Sequence, residues 1–229
     1  MSVSNILITR YGPDRMTVRK TDTKLPKKRL RPENREQQIL DEAVSFFAEK
    51  GISGKTRELA DRLGITQPLL YRYFPTKRDL IEGVFEKVYL NKLNPEWLKT
   101  ITDRDRTLQD RLSEFYRSYS AATYRYDWIR VYMFSALMGE EMNRRYTKLI
   151  EKEILTPICV ELREHCGLPS KKRVSQAELD HIWVLHGGLF YFAIRKHIYH
   201  GSVSKNFSVV VERAVNAMLE GTKSISADP

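Results

Sequence analysis

With 229 residues, 41% of them hydrophobic, the chain can bury one large core or two smaller ones. Its longest apolar runs, such as Leu189 to Ile194, fall far short of the roughly 20 residues of a membrane-spanning helix. Met1 to Met16 lacks the apolar core of a signal peptide, so a cytoplasmic location without a membrane partner is expected.

The net charge is +10, and the first 35 residues hold ten Lys/Arg against three Asp/Glu. Such asymmetry points to a polyanionic partner. Lys20 to Pro32 has two prolines, clustered cations and almost no large apolar residues. It cannot bury enough surface to offset the entropy of ordering, so residues 1–33 are expected to form a flexible basic arm.

From Glu33 onward the pattern changes. Ile39, Leu40, Ala43, Phe46 and Phe47 recur at three- and four-residue spacing, which predicts an amphipathic helix ending near Gly51. Thr56 is the expected cap of a short second helix carrying Leu59, Ala60 and Leu63, with Gly64 closing it in a left-handed conformation. Thr66 caps a third, where Pro68 sits harmlessly in the first turn and Pro75 stops the helix within about two turns. Thr76 caps a fourth, with Asp79 in its first turn and Leu80, Ile81, Val84, Phe85, Val88 and Tyr89 on its apolar face. After Asn94-Pro95 the reading stays helical: about Thr107 to Ala122, Asp127 to Met138, Glu140 to Cys166, Ser175 to Tyr199 and Lys205 to Glu220. Pro157 should kink the third of these or restart it with Thr156 as cap. Cys159 and Cys166, seven apart on that stretch, read as reduced core thiols.

Two short helices joined at Gly64 have the form of a helix-turn-helix, whose second helix enters the DNA major groove. Leu70 and Phe74 can pack inward, leaving Gln67, Leu69, Arg72 and Tyr73 outward. Gln67 could pair with an adenine edge, Arg72 with a guanine or a phosphate, and Leu69 with a thymine methyl. Tyr71, Tyr73 and Lys77 suit phosphates, Lys77 because backbone N–H groups at the start of the fourth helix favour an anion. Thr56, Arg57, Thr66 and Pro68 complete the expected DNA-facing set. Ahead of the unit, Lys27, Lys28, Arg29 and Arg31 could enter an adjacent minor groove, and should steepen the salt dependence of binding.

The stretch from Arg35 to Tyr89, with "ILDEAVSFFAEKG", "TRELADRLGIT" and "LLYRYFPTKRDLI", closely resembles the TetR family of bacterial transcriptional regulators. The resemblance implies an all-α chain: a three-helix helix-turn-helix DNA-binding domain at 34–91, then a helical ligand-binding and dimerisation domain at 92–229. It implies a dimer on a palindromic operator, released by a small-molecule effector and most often a repressor. It also implies a recognition helix from Gln67 to Phe74, with Tyr71 and Lys77 at phosphate-contacting positions and the last two helices forming the dimer interface.

The second domain is rich in aromatics, and large rings at helical spacing are usually core. A ligand pocket between helices would be lined by such rings with a few polar handles, which makes Trp128, Tyr132, Trp183 and His186 the candidate ligand-binding residues. Gly187-Gly188 inside a helix costs about 1 kcal/mol per glycine relative to alanine. Close approach of another helix, across a dimer interface or within the chain, would compensate. Two rival functions stand beside the regulator. One is an architectural or partner-regulated DNA-binding protein without effector. The other is a helical metal enzyme, suggested by Glu178 and His181, whose Glu-x-x-His spacing lacks the second copy that helical di-metal sites use. Neither a metal nor a cofactor is expected.

Overall fold

The computed structural model of the chain describes residues 32–137, 141–169 and 171–226. The arm residues Lys27, Lys28, Arg29 and Arg31 lie outside the described residues. The fold is all-helical, with an N-terminal helix-turn-helix unit followed by a larger helical region.

Helix α1 (Pro32–Lys50) buries the stripe Ile39, Leu40, Ala43, Phe46 and Phe47 read from its spacing. Two glycines shape the turn that follows it. Gly51 takes φ +80°, a left-handed conformation under the ring of Phe134, and a methyl group on Gly54 would lie 2.6 Å from Phe46. Helix α2 (Thr56–Leu63) ends at Gly64 with φ 62°. There the Gly64 N–H reaches Asp61 O and the Ile65 N–H reaches Ala60 O, the paired bonds of a Schellman stop. Helix α3 (Gln67–Tyr73) starts from Thr66, whose hydroxyl accepts the Leu69 N–H, and carries Pro68 in its first turn. Helix α4 (Lys77–Val88) begins with a full capping box, Asp79 N–H to the Thr76 hydroxyl and Thr76 N–H to the Asp79 carboxylate.

Beyond a 3-10 turn at Leu90–Lys92 come α5 (Glu96–Thr102), α6 (Leu108–Thr123), α7 (Tyr126–Leu137), α8 (Glu141–Ile150), α9 (Thr156–His165), α10 (Gln176–His197) and α11 (Phe207–Ser226). Helix α5 falls in the stretch after Asn94-Pro95 that reads as helical, ahead of the first segment expected near Thr107. Its formation rests on tertiary burial of Trp97 and Ile101, with the Trp97 indole N–H donating to Ser118. Thr156 does not act as a side-chain cap ahead of Pro157. A π-helical turn, Glu151–Leu155, comes between α8 and α9 and sets the proline in the first turn of α9, where no backbone donor is needed. The Gly187-Gly188 pair faces no close crossing within the described protein: a Cβ on either glycine would meet nothing within 4 Å.

The described residues form one compact unit, and α4 is the element that runs from the helix-turn-helix into the larger core. Leu80, Val84 and Phe85 are buried on α4, and Tyr89 at its end lies against Trp128 and Tyr146, both with ring centroids at 5.1 Å. Arg130 of α7 donates to the carbonyls of Ala48 and Glu49 at the end of α1, and Arg145 of α8 pairs with Glu82 of α4. Deeper in the larger region, the buried carboxylate of Glu161 on α9 holds Arg111 of α6 at 2.8 Å and Arg104 at 2.9 Å. Burial pushes the Glu161 carboxyl upward, but the bonds from Arg104 and Arg111 outweigh it and leave the group below its usual value.

Candidate functional site

Helix α3 exposes one face. Thr66, Pro68 and Arg72 are exposed along it, with Arg57 exposed on the neighbouring α2. Neither arginine makes a hydrogen bond or ion pair within the described residues, so both guanidinium groups are available to a ligand. Leu69 and Tyr73 are half-buried, and Tyr73 packs against the core. Leu70 is fully buried, and Phe74, which closes α3, is 6% exposed. The inward pair therefore lies where the spacing puts it, while the helix itself stops at Tyr73.

Thr56 is not the cap of α2. Lys55 precedes the helix without a side-chain bond, and Thr56 is its buried first residue. Its hydroxyl lies 2.9 Å from the Tyr71 hydroxyl and accepts from the Gln67 amide at 3.0 Å. One buried oxygen thus ties the start of α2 to both turns of α3 and sets the angle at which α3 stands off the core. Gln67 keeps its second amide hydrogen and its carbonyl oxygen for other partners. Thr56→Val keeps the shape and removes the hydroxyl. It should cost about 1 kcal/mol in urea unfolding, because Gln67 and Tyr71 are part-exposed and can turn to water. A change indistinguishable from zero would mean that the three-residue relay does not brace α3.

Lys77 is half-buried at the first position of α4. The capping box already takes two of the backbone donors expected to be open there: Asp79 takes the Thr76 N–H, and the Thr76 hydroxyl takes that of Asp79.

The four aromatic candidates of the larger region come together. Trp128 and Tyr132 of α7 are stacked, centroids 5.1 Å apart and planes 7° from parallel. With Trp183, His186, Phe190 and Gly187 of α10, Tyr146 of α8 and Tyr119 and Tyr124 from α6 and its end, they line a cavity of about 50 Å³. Burial lowers the His186 pKa to about 4, so the imidazole is neutral at pH 7. Burial likewise raises Tyr119, Tyr124 and Tyr146 above the usual phenol value.

Both members of the Glu-x-x-His pair have other partners. Glu178 is bound to Arg163 at 2.5 Å and closes the capping box of α10 with Ser175, while His181 meets the Thr222 hydroxyl at 3.0 Å. Among the described residues no group of three or more His, Cys, Asp or Glu comes together, and no helix is long and apolar enough to cross a membrane.

Comparison with known families matches residues 39–84 to the family described as bacterial regulatory proteins, tetR family. Among curated proteins, the HTH-type transcriptional regulator LuxR of Vibrio harveyi is 35% identical over 66 residues, 28% of this chain and 32% of that protein. The nucleoid occlusion factor SlmA of Haemophilus ducreyi is 36% identical over 67 residues, again 28% and 32%. The HTH-type transcriptional repressor KstR2 of Mycolicibacterium smegmatis is 26% identical over 106 residues, 46% of this chain and 51% of the relative. The chain thus spans about a third of the length of the first two relatives. Among solved structures, one from Pseudomonas syringae pv. tomato, described as a TetR family transcriptional regulator, matches at TM-score 0.57 and 16% identity over 83% of this chain and 97% of that one. Another, from Mesorhizobium loti, matches at TM-score 0.58 and 16% identity over 86% and 98%.

Proposed function

We propose, from a helix-turn-helix headpiece that belongs to the TetR family of bacterial regulatory proteins, that this chain is a cytoplasmic, ligand-responsive transcriptional regulator acting as a repressor. Two copies bind a palindromic operator, α3 of each in the major groove, and an effector in the aromatic cavity releases them. On this reading Arg57, Thr66, Gln67, Pro68, Leu69 and Arg72 face bases or backbone, with Tyr71, Tyr73 and Lys77 on phosphates and Thr56 bracing the helix from below. The arm residues Lys27, Lys28, Arg29 and Arg31 add phosphate or minor-groove contacts.

The observation that carries the reading is the contact of Tyr89 with two cavity-lining rings, Trp128 and Tyr146. Tyr89 ends α4, and α4 begins shortly after α3 closes at Phe74. A ligand that displaces the rings moves α4, and with it the spacing of two recognition helices that must match half-sites one or more helical turns apart. The partner copy fits the exposed stripe Val184, Gly188 and Tyr191 on α10 together with α11. A second reading is an architectural or partner-regulated DNA-binding protein without effector. The aromatic cavity beside Tyr89 favours the first.

Footprinting the protein on genomic fragments, with and without salt, tests the proposal. Arg72→Ala should cost about 1–3 kcal/mol at preferred sites and relax the choice of base at one position. Lys77→Ala should weaken all sites alike and reduce the salt slope by about one unit. Equal losses on specific and random DNA from both changes would rule out this division of labour, and indifference to all duplexes at low ionic strength would rule out the regulator.

A further inference from the structure

The cavity between α6, α7, α8 and α10 carries information about what it accepts. Its wall contains no Asp, Glu, Lys or Arg. A buried carboxylate or ammonium would find no counter-charge there, and unpaired burial of an ion is prohibitively costly. Cation-π attraction from the rings could offset part of that cost for an ammonium. Two lining side chains argue otherwise. Trp128 is 3% exposed and its indole N–H has no acceptor in the protein, while His186 is 5% exposed and its Nδ1 has no partner. Indole N–H is a donor only, so it asks for an acceptor, which a quaternary ammonium cannot supply. The stacked Trp128 and Tyr132 and the surrounding rings favour a flat apolar body.

We propose that the cavity takes an uncharged, planar aromatic compound bearing a hydrogen-bond acceptor such as a carbonyl oxygen. This rests on the cavity being the effector site. Benzene fills a cavity of about 150 Å³, so the present 50 Å³ must grow roughly threefold. Trp183 is the wall built to yield. It is part-exposed, and its indole N–H is held by a single 3.1 Å bond to Glu151, the first residue of the π-helical turn. Beside it Gly187 presents no side chain, and a Cβ there would touch nothing within 4 Å. Swinging Trp183 outward opens the cavity without disturbing the Trp128–Tyr132 stack.

The test uses the full chain without DNA and four one-ring probes of similar size: acetophenone, ethylbenzene, benzoate and phenyltrimethylammonium. Titration calorimetry should rank acetophenone tightest, by about tenfold or more over each of the other three. Trp128→Phe, which keeps a ring in the stack and removes the donor, should erase the margin of acetophenone over ethylbenzene. Trp183→Ala should speed probe entry several-fold. If benzoate or the ammonium equals acetophenone in the wild-type protein, or if neither the wild type nor the Trp183→Ala form binds any probe, the inference is overturned. The wild-type ranking decides the matter even where Trp128→Phe lowers stability. A gel shift on the same preparations separates the two claims: probe ranking without DNA binding removes the regulator and leaves the ligand class, and DNA binding without the ranking does the reverse.

Discussion

Glu161→Leu should lower the unfolding free energy by about 3–5 kcal/mol, one of the largest effects expected of any single change in this chain. The reason is the partner left behind. Arg111 is 6% exposed, and losing the carboxylate leaves its guanidinium with the Ile101 carbonyl at 2.6 Å as its remaining acceptor. Arg104, on the other side of Glu161, is more than half exposed and can return to water. For a chain of this size the loss corresponds to a melting temperature lower by about 10 °C, readable by calorimetry or urea unfolding. Replacing Arg111 and Glu161 together by leucine should restore most of the stability, since a buried ion pair and a packed apolar pair are often nearly equivalent. A double variant as unstable as the single one would show that the pair does more than satisfy itself.

The second large effect is on acid stability. His186 is neutral in the fold because burial lowers its pKa to about 4, whereas in the unfolded chain it titrates near 6.5. Between those values the unfolded state binds the extra proton, so stability rises with pH. The contribution is complete above about pH 6.5 and is lost as pH falls toward 4, amounting to about 3 kcal/mol. Measured against His186→Phe, which cannot titrate, the wild-type protein should lose this amount between pH 7 and pH 4. Carboxylates such as Glu178, held near pKa 2 by Arg163, are common to both proteins and cancel in the difference. Parallel pH profiles for the two proteins would show that the imidazole is not desolvated as its surroundings imply.

Much of the headpiece is legible in the sequence because its signals are local. A glycine after an apolar run, a threonine three residues before an aspartate and a proline in a first turn each fix a few dihedrals whatever surrounds them. Gly64, Thr66, Pro68 and the Thr76–Asp79 box are of this kind. Thr56 shows the limit. A threonine at the start of a helix looks like a cap, and only the approach of Tyr71 and Gln67, fifteen and eleven residues away, turns its hydroxyl inward. The same holds for α5, which exists because Trp97 and Ile101 find a core to enter. In the aromatic region, spacing alone could not separate ordinary core rings from those around a cavity. Trp128, Tyr132, Trp183 and His186 come from two helices more than fifty positions apart, and their convergence is a property of packing.

The π-helical turn acts on the chain as a one-residue insertion does on a screw thread. Each residue in an α-helix advances the azimuth by about 100°, and the wider turn at Glu151–Leu155 resets the phase between α8 and α9. Upstream of it Tyr146 and Ile150 point to the ring cage, and downstream Glu161 points to Arg111. This short irregular stretch therefore sets the relative phase of two clients on one rod, the ring cage upstream and the buried charge downstream.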